Sequence, residues 1–301
     1  MRKKVVMGLA VALLLAAGLV AAPAWGAPGQ EPAAVPVEAW AGKVFTVLPL
    51  EGGRKAEGYA FTFQTPRPEL TTAGGNIRAD WLEGKRLEVV SVRPLPSGPQ
   101  AAPLNDYEVV FRETVSGALL AAPALGGQVA QVVLASDLAE AQKRFAAKVI
   151  YSKRLAIPAY QTAPGMIQVK INEPLKVEDV IAGVSSAEPI WLVVSTADKR
   201  RGYIAIAYSL TNLQAGVWTG ARPWTAVLFE EDPQALYTWD EEIWAAINSG
   251  QAKQGMIPDQ VRLAWGEPLS IVRTEGEETW YYPDKRIKFH PQTGLYLIQT
   301  R

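Results

Sequence analysis

The stretch GMIPDQVRLAWGEPLSIVRT, residues 255–274, decides the fold of the C-terminal part of this chain. Pro258 favours a helix start there, because the first helical position needs no N–H, and Gly266 favours its end. The apolar residues that share one face of this predicted helix are Val261, Ala264 and Trp265. A strand is predicted directly after it, at residues 270–273. The stretch therefore predicts a helix followed by the first strand of a sheet.

Before this stretch, another helix is predicted to begin at a capping box formed by Thr238 and Glu241 and to end at residues 248–250. Downstream, strands are predicted at residues 270–273, 279–282 and 286–289, and a fourth apolar stretch, residues 295–298, closes the chain. Two helices followed by a small antiparallel sheet predict an α+β unit over residues 236–301, with the helices on one face of the sheet.

These residues resemble the small outer-membrane assembly lipoproteins of the SmpA/OmlA (BamE) type. The resemblance covers about residues 238–301 and consists of the stretch quoted above, then EETWYY, then KFHPQTGLYLIQ. The matching positions are Gly255, Met256, Val261, Trp265, Gly266, Pro268, Trp280, Tyr281 and Gly294. The resemblance implies a scaffold of two helices and a three-stranded antiparallel sheet that binds other proteins. Exported inhibitors of hydrolases share this scaffold.

Upstream, residues 41–235 predict short strands separated by turns, because stretches such as KRLEVVSV and YIAIAYS alternate apolar and polar residues. One helix is predicted among them, capped by Ser136 or Asp137, with Leu138, Ala141 and Phe145 at helical spacing. Three pairs of segments match in the same order: 42–45 with 147–150, 87–92 with 175–180, and 107–111 with 191–195. Gly117 is matched with Gly202.

This repetition predicts two related β-barrels, at residues 39–125 and 126–235. The alternative is chance similarity between short alternating strands. Both regions resemble bacterial SH3-like barrels, with five or six short strands, a GK pair near the start and a GY pair before a late strand. The predicted fold class is thus mainly β: two small SH3-like β-barrels followed by a BamE-like α+β unit with two helices and a three-stranded sheet.

The N-terminus predicts export. Three basic residues in MRKK, an apolar run over residues 5–20 and small residues at 22 and 24 are the layout of a cleavable signal peptide at residues 1–24. An uncleaved anchor is the alternative, and it is the only membrane contact predicted. Residues 25–38, rich in Pro, Ala and Gly, predict a linker. We therefore expect the mature chain in the periplasm, or outside the cell in association with the wall.

Composition and motifs exclude several functions. Thirty basic and thirty acidic residues cancel, so the electrostatic footprint of a nucleic-acid partner is missing. Without cysteine there is neither a disulfide nor a thiol nucleophile. His290 is the only histidine, and no serine elbow, phosphate loop or dinucleotide motif occurs. We predict no catalytic residue, cofactor or metal ligand, and expect that the chain is not an enzyme.

The predicted function is protein–protein interaction with an envelope protein, in assembly or scaffolding. The predicted binding residues are Trp218, Trp224, Trp280 and Tyr282, although burial is the alternative for the aromatic residues near Trp224. Three other functions stay open: binding of peptidoglycan or peptide by the barrels, inhibition of a secreted hydrolase, and hydrolysis of wall glycans by carboxylates at 230–232 or 277–278. The basic run 199–201 is predicted at a hairpin tip, either solvated or against an anionic surface.

Overall fold

A computed structural model of the chain describes residues 33–95, 106–160, 164–213, 222–290 and 293–300. The predicted signal peptide (residues 1–24), most of the predicted linker and Trp218 lie outside these ranges. Strands make up 41% of the described residues and helices 20%, and several of the sheets are antiparallel. The prediction of a mainly β chain is therefore confirmed.

The first β unit is built around a seven-stranded sheet. Its elements are β1 (Val44–Val47), α1 (Arg54–Glu57), β2 (Thr62–Phe63), α2 (Ala79–Leu82), β3 (Arg86–Pro94), β4 (Tyr107–Glu113), β5 (Leu119–Leu125), β6 (Gln128–Val129) and β7 (Val132–Leu134). Two short 3-10 turns lie at Val37–Ala39 and Pro68–Leu70. The strand order is β2-β5-β4-β3-β1-β7, and β6 pairs with β5.

Helix α3 (Ala135–Phe145) connects this sheet to the second β unit. The elements of the second β unit are β8 (Val149–Ser152), β9 (Ala156–Pro158), β10 (Met166–Gln168), β11 (Leu175–Ser185), β12 (Glu188–Ser195), β13 (Arg201–Ala207), β14 (Arg222–Pro223), α4 (Trp224–Val227) and β15 (Leu228–Phe229). The sheet has the order β14-β13-β12-β11-β8-β15, and β9 and β10 form a separate hairpin.

The two β units share one strand order. The last strand pairs with the first, and the next three follow as a meander: β7-β1-β3-β4-β5 in one unit and β15-β8-β11-β12-β13 in the other. Strands β3 and β11, which are equivalent, carry a bulge at the same place: between Val89 and Ser91 in β3, and between Val177 and Asp179 in β11. The segment pairs that match in the sequence lie on equivalent strands, so the repeat in the sequence coincides with a repeat of topology.

Two details of the predicted repeat are wrong. Val89 pairs with Phe111 and Val177 pairs with Val194, so Phe111 corresponds to Val194 and the third segment pair is shifted by one residue. A shift of one residue moves a side chain to the opposite face, and both of these side chains are fully buried. Gly202 is equivalent to Leu120 rather than Gly117, because Phe111 pairs with Leu120 and Val194 with Gly202.

The first sheet also extends past residue 125, where the sequence places the end of the first barrel. Strand β7 lies at residues 132–134 and pairs with β1, with Val47 opposite Val132. Without it β1 would be an open edge, and its backbone groups would lack these partners. The sheets therefore divide at Leu134, immediately before α3.

Both side-chain caps predicted in the sequence are wrong. Helix α3 begins at Ala135, so Asp137 lies inside its first turn, where it accepts hydrogen bonds from Ser209 instead. The helix predicted from Thr238 begins at Glu241, without a side-chain cap. The Trp239 ring stacks on Tyr237, with 4.4 Å between centroids, and this aromatic packing favours an extended backbone ahead of the helix.

The C-terminal unit consists of helices on a four-stranded meander. After the short α5 (Pro233–Leu236), its elements are α6 (Glu241–Asn248), α7 (Pro258–Trp265), β16 (Ser270–Thr274), β17 (Glu277–Tyr281), β18 (Lys285–His290) and β19 (Gly294–Thr300). The order is β16-β17-β18-β19. The predicted three-stranded sheet thus has a fourth strand, because the closing apolar stretch pairs with β18 along its length.

Each unit has its own hydrophobic core, and the second and third cores also include side chains of the preceding unit. The first core is rich in aromatic residues, including Trp40, Phe45 and Phe111. The second core is mainly aliphatic and includes Leu48 and Val133 of the first β unit. The C-terminal core, around Trp280, includes Ile171 and Phe229 of the second β unit. The three units therefore pack in series through shared cores.

Candidate functional site

Three of the aromatic residues predicted to bind a partner are buried. Trp224 is 4% exposed, Trp280 0% and Tyr282 6%. The Trp280 ring lies against Phe289, with 4.6 Å between centroids, and under the guanidinium of Arg262 at 4.4 Å. A partner at the surface does not reach these rings, so we assign them to the cores. Trp218, the fourth, lies outside the described residues.

Three of the five predicted carboxylates are held in ion pairs. Glu230 accepts from Arg144 at 2.9 and 2.6 Å, Glu277 from Lys288 at 2.6 Å and Glu278 from Arg273 at 2.7 Å. The bonds from Lys288 and Arg273 lower the pKa of Glu277 and Glu278, respectively. A glycosidase acid requires a raised pKa instead, so these carboxylates fit a structural role.

The basic run at residues 199–201 is also largely neutralised. Arg200 pairs with Asp198 at 2.7 Å and Glu173 at 3.3 Å, and Arg201 pairs with Glu178 at 2.7 Å. His290 ends β18 in an exposed position. Within the described ranges, no group of three or more His, Asp or Glu side chains is placed to hold a metal ion.

The most promising site is a cleft of about 350 Å³ between the second β unit and the C-terminal unit, which we call the interunit cleft. It is lined by Lys153, Arg154, Leu155, Arg222, Ala226, Arg262, Leu263, Ala264, Trp265, Gly266 and Glu267. Four of these residues are cationic and one is acidic. The cleft is therefore strongly positive in a chain whose net charge is zero.

Lys153 and Arg154 enter the cleft directly after β8. The Ser152 hydroxyl accepts from the Arg154 N–H at 2.9 Å and donates to its carbonyl oxygen at 2.8 Å, which fixes the backbone there. Lys153 is 9% exposed, and its Nζ donates to the Thr225 carbonyl at 2.6 Å. The same Nζ lies 4.4 Å from the centre of the Phe229 ring. A cationic residue is thus held almost wholly inside the protein.

Arg222 enters from the other side of the second β unit. It opens β14, which pairs in parallel with β13, and buried Trp224 anchors the chain two residues later. Among the described residues, neither Arg154 nor Arg222 forms a side-chain hydrogen bond or an ion pair with a carboxylate. The neighbouring segment 214–221, outside the described ranges, contains no acidic residue. Within the described residues, neither guanidinium group is therefore neutralised by an ion pair, although the more distant Glu188 carboxylate acts on Arg154 through its charge.

Helix α7 supplies the opposite wall, whose charges are balanced. Arg262 pairs with Asp259 and Glu267, each at 3.2 Å. The Trp265 indole N–H donates to the Gly250 carbonyl at 2.9 Å. Gly266, with φ +80°, ends the helix at the wall. This side of the cleft is a fixed surface that has its own partners.

Burial and the repulsion between like charges shift the pKa values of the cationic residues in the cleft. Loss of hydration lowers the pKa of Lys153 to about 8, and the nearby Asp259 carboxylate opposes that shift. Although much of Arg154 is exposed, protein atoms crowd it enough to lower its pKa, and the positive charge of Arg222 lowers it further. Glu188 acts in the opposite direction. Positive charge is thus held in the cleft against its own repulsion.

Side-chain hydrogen bonds hold the two walls together. Asn248 on α6 accepts from the Ile171 N–H at 2.9 Å, and its amide donates to Asn172 at 2.9 Å. Ile171 and Phe229 are buried in the C-terminal core. Because the walls are joined by a packed core as well as by hydrogen bonds, the cleft is preformed.

The repeat in the sequence contains one signal for this site. The N–H of Leu48 donates to the Gln131 carbonyl just before β7, and the N–H of Lys153 donates to the Val227 carbonyl just before β15, both at 2.9 Å. Lys153 therefore occupies in the second β unit the position of Leu48 in the first. Extending the matched segments 42–45 and 147–150 by a few residues would have revealed this exchange of leucine for lysine.

Comparison with known proteins gives no further guide: no protein-family model, curated protein or solved structure matches this chain. None of the helices in the described residues combines the length and the apolar composition that crossing a membrane requires.

Proposed function

We propose that this chain is a non-enzymatic binding protein of the cell envelope that is exported and interacts there with a protein partner through the interunit cleft. The observation that supports this is the preformed cleft itself, with two guanidinium groups that form no ion pair with a carboxylate of the described residues. Concave, preformed sites with a few convergent polar groups are the usual form of binding sites. The export part of the proposal rests on the signal-like residues 1–24.

The finer fold assignment belongs to the same proposal. We propose that both β units are SH3-like and that the C-terminal unit is BamE-like. The shared five-strand order of the β units supports the first assignment. The two helices beside an antiparallel meander, with Gly266 at the end of α7 and Gly294 at the start of β19, support the second. Both folds serve as scaffolds for binding, which is consistent with the proposed function.

A photo-crosslinking amino acid in place of Ala226, exposed in the cleft, tests the proposal in cells. The matched control has the same amino acid in place of Val115, which is 90% exposed in the first β unit. We expect a defined protein adduct from position 226 and none from position 115. Identical adducts from both positions, or none from position 226, would contradict binding at the cleft.

Binding to the cell wall is the competing outcome. Cosedimentation of the full mature chain with purified wall measures it directly. If the chain sediments quantitatively while position 226 crosslinks to no protein, the function is wall binding and the protein–protein proposal is wrong.

A further inference from the structure

We propose that the interunit cleft recognises the carboxylate side chains of an acidic peptide segment, with Arg154 and Arg222 as the two residues that bind them. This inference rests on the proposed function, because it specifies which chemistry of a protein partner the cleft selects. Arginine presents a planar fork of donors that matches a carboxylate with two parallel hydrogen bonds.

The first argument is the cost of the charges. Two guanidinium groups lie close enough for the charge of Arg222 to lower the pKa of Arg154, and the Glu188 charge offsets this without forming an ion pair. No carboxylate of the described residues forms an ion pair with either guanidinium group. Arg262, on the facing wall, has Asp259 and Glu267 as partners. The cleft thus contains one arginine that already has carboxylate partners and two, Arg154 and Arg222, that form no ion pair. An incoming anion stabilises only these two.

The second argument comes from the repeat. The positions of Lys153 and Arg154 are Leu48 and Pro49 in the first β unit, and Leu48 is fully buried. The fold therefore accepts apolar residues at these positions. Placing two cations there is unfavourable for stability, and buried or crowded charge retained at such a cost is typical of a binding site.

The third argument is shape, which favours a peptide over other anions. A flat anionic membrane attracts basic residues that project from a surface, whereas these residues line a concave cleft. A long polyanion needs an extended positive field, and the zero net charge of the chain provides none. The apolar lining residues Leu155, Ala226 and Leu263 suit a segment that carries apolar side chains between its carboxylates.

A titration of the full mature chain with a short glutamate-rich peptide, and with its glutamine counterpart, tests the inference. In the Arg154→Gln/Arg222→Gln variant we expect affinity for the glutamate peptide to fall by about tenfold or more. The matched control is Arg86→Gln/Arg93→Gln, which removes two exposed arginines of β3 and leaves affinity unchanged. The glutamine peptide is expected not to bind.

Parallel titrations with inorganic phosphate and with phosphatidylglycerol vesicles separate other anions. If either binds in a way that needs Arg154 and Arg222 while the glutamate peptide does not bind, the inference is wrong. Equal peptide affinity in all variants would also overturn it. In both cases a protein adduct from position 226 would leave the proposed function standing, so the two failures are distinguishable.

Discussion

The chain contains two joints between successive units, and they use the same strand positions for different purposes. Val133 of β7 enters the core of the second β unit, and Phe229, at the equivalent position of β15, enters the core of the C-terminal unit. Beside them, Leu48 closes the first joint, whereas Lys153 leaves a charged cleft at the second. The comparison shows that equivalent backbone positions carry a sealed apolar contact at one joint and a positively charged cleft at the other.

Polar groups secure both joints. At the first, the Asn212 amide donates to the Val129 and Val132 carbonyls and accepts from the Val129 N–H, all within 2.9 Å. At the second, Asn248 accepts from the Ile171 N–H and donates to the side-chain oxygen of Asn172, both at 2.9 Å. Because each bridge pairs backbone groups that are buried or partly buried, both joints are specific contacts. The two joints therefore differ at the position of Leu48 and Lys153, and not in these hydrogen bonds.

Giving the first joint the lysine of the second has the largest expected effect. Leu48→Lys places an ammonium group in a fully buried position among aliphatic side chains, which costs about 4 kcal/mol of unfolding free energy. Denaturant titration measures this loss. The control Leu125→Lys, at a position 59% exposed, changes stability by less than about 0.5 kcal/mol. A loss as small as the control's would show that both joints accept a cation.

Lys153→Leu makes the second joint like the first and changes the pH dependence of stability. The folded pKa of Lys153, about 8, is below the ordinary lysine value of 10.5, so between these values the unfolded chain binds more protons. Wild type therefore gains about 3 kcal/mol relative to the variant as pH rises from about 8 to 10.5. At pH 7 the variant is the more stable. If the unfolding free energies of the two proteins changed in parallel with pH, the lowered pKa of Lys153 would be refuted.

Gly202→Ala tests a second difference between the β units. Gly202 is equivalent to Leu120, but its added Cβ would lie 2.8 Å from the Pro158 carbonyl oxygen, too close without a backbone shift. We expect a loss of about 2 kcal/mol in denaturant titration, from overpacking. Gly53→Ala, with φ −59° and no atom within 4 Å of the added Cβ, is the control and is neutral or slightly stabilising. Equal changes in unfolding free energy for the two variants would mean that the β9–β10 hairpin shifts at little cost to make room for the added Cβ.

Asp137→Asn has the smallest expected effect, at the connection between the β units. Burial raises the pKa of Asp137 above 3.8, although hydrogen bonds from Ser209 oppose the shift. Its stabilising contribution is therefore present in acid and lost as pH rises through its folded pKa. The variant is therefore expected to become more stable relative to wild type as pH rises from acid to neutral. Thermal unfolding at several pH values measures this, and a constant difference would contradict it.

Local signals in the sequence predicted more of the fold than of the site. The helix start at Pro258, its end at Gly266, and the alternating strands were found because each signal acts within one element. The cap at Thr238 was wrong, since aromatic packing around Trp239 outweighs one hydrogen bond. Trp224, Trp280 and Tyr282 were predicted to bind a partner because aromatic side chains serve both cores and binding surfaces, and only burial separates the two.

The sequence by itself determined that this is a mainly β chain with a duplicated strand pattern and an α+β end, because periodicity, turns and helix ends are local properties. Only the tertiary structure decided where the units meet. Lys153, Arg154 and Arg222 lie up to 69 residues apart in the sequence, and Arg262 is on another unit. They share a cleft because β15 pairs with β8 and the C-terminal core includes Phe229. Such long-range pairing leaves no periodic trace in the sequence.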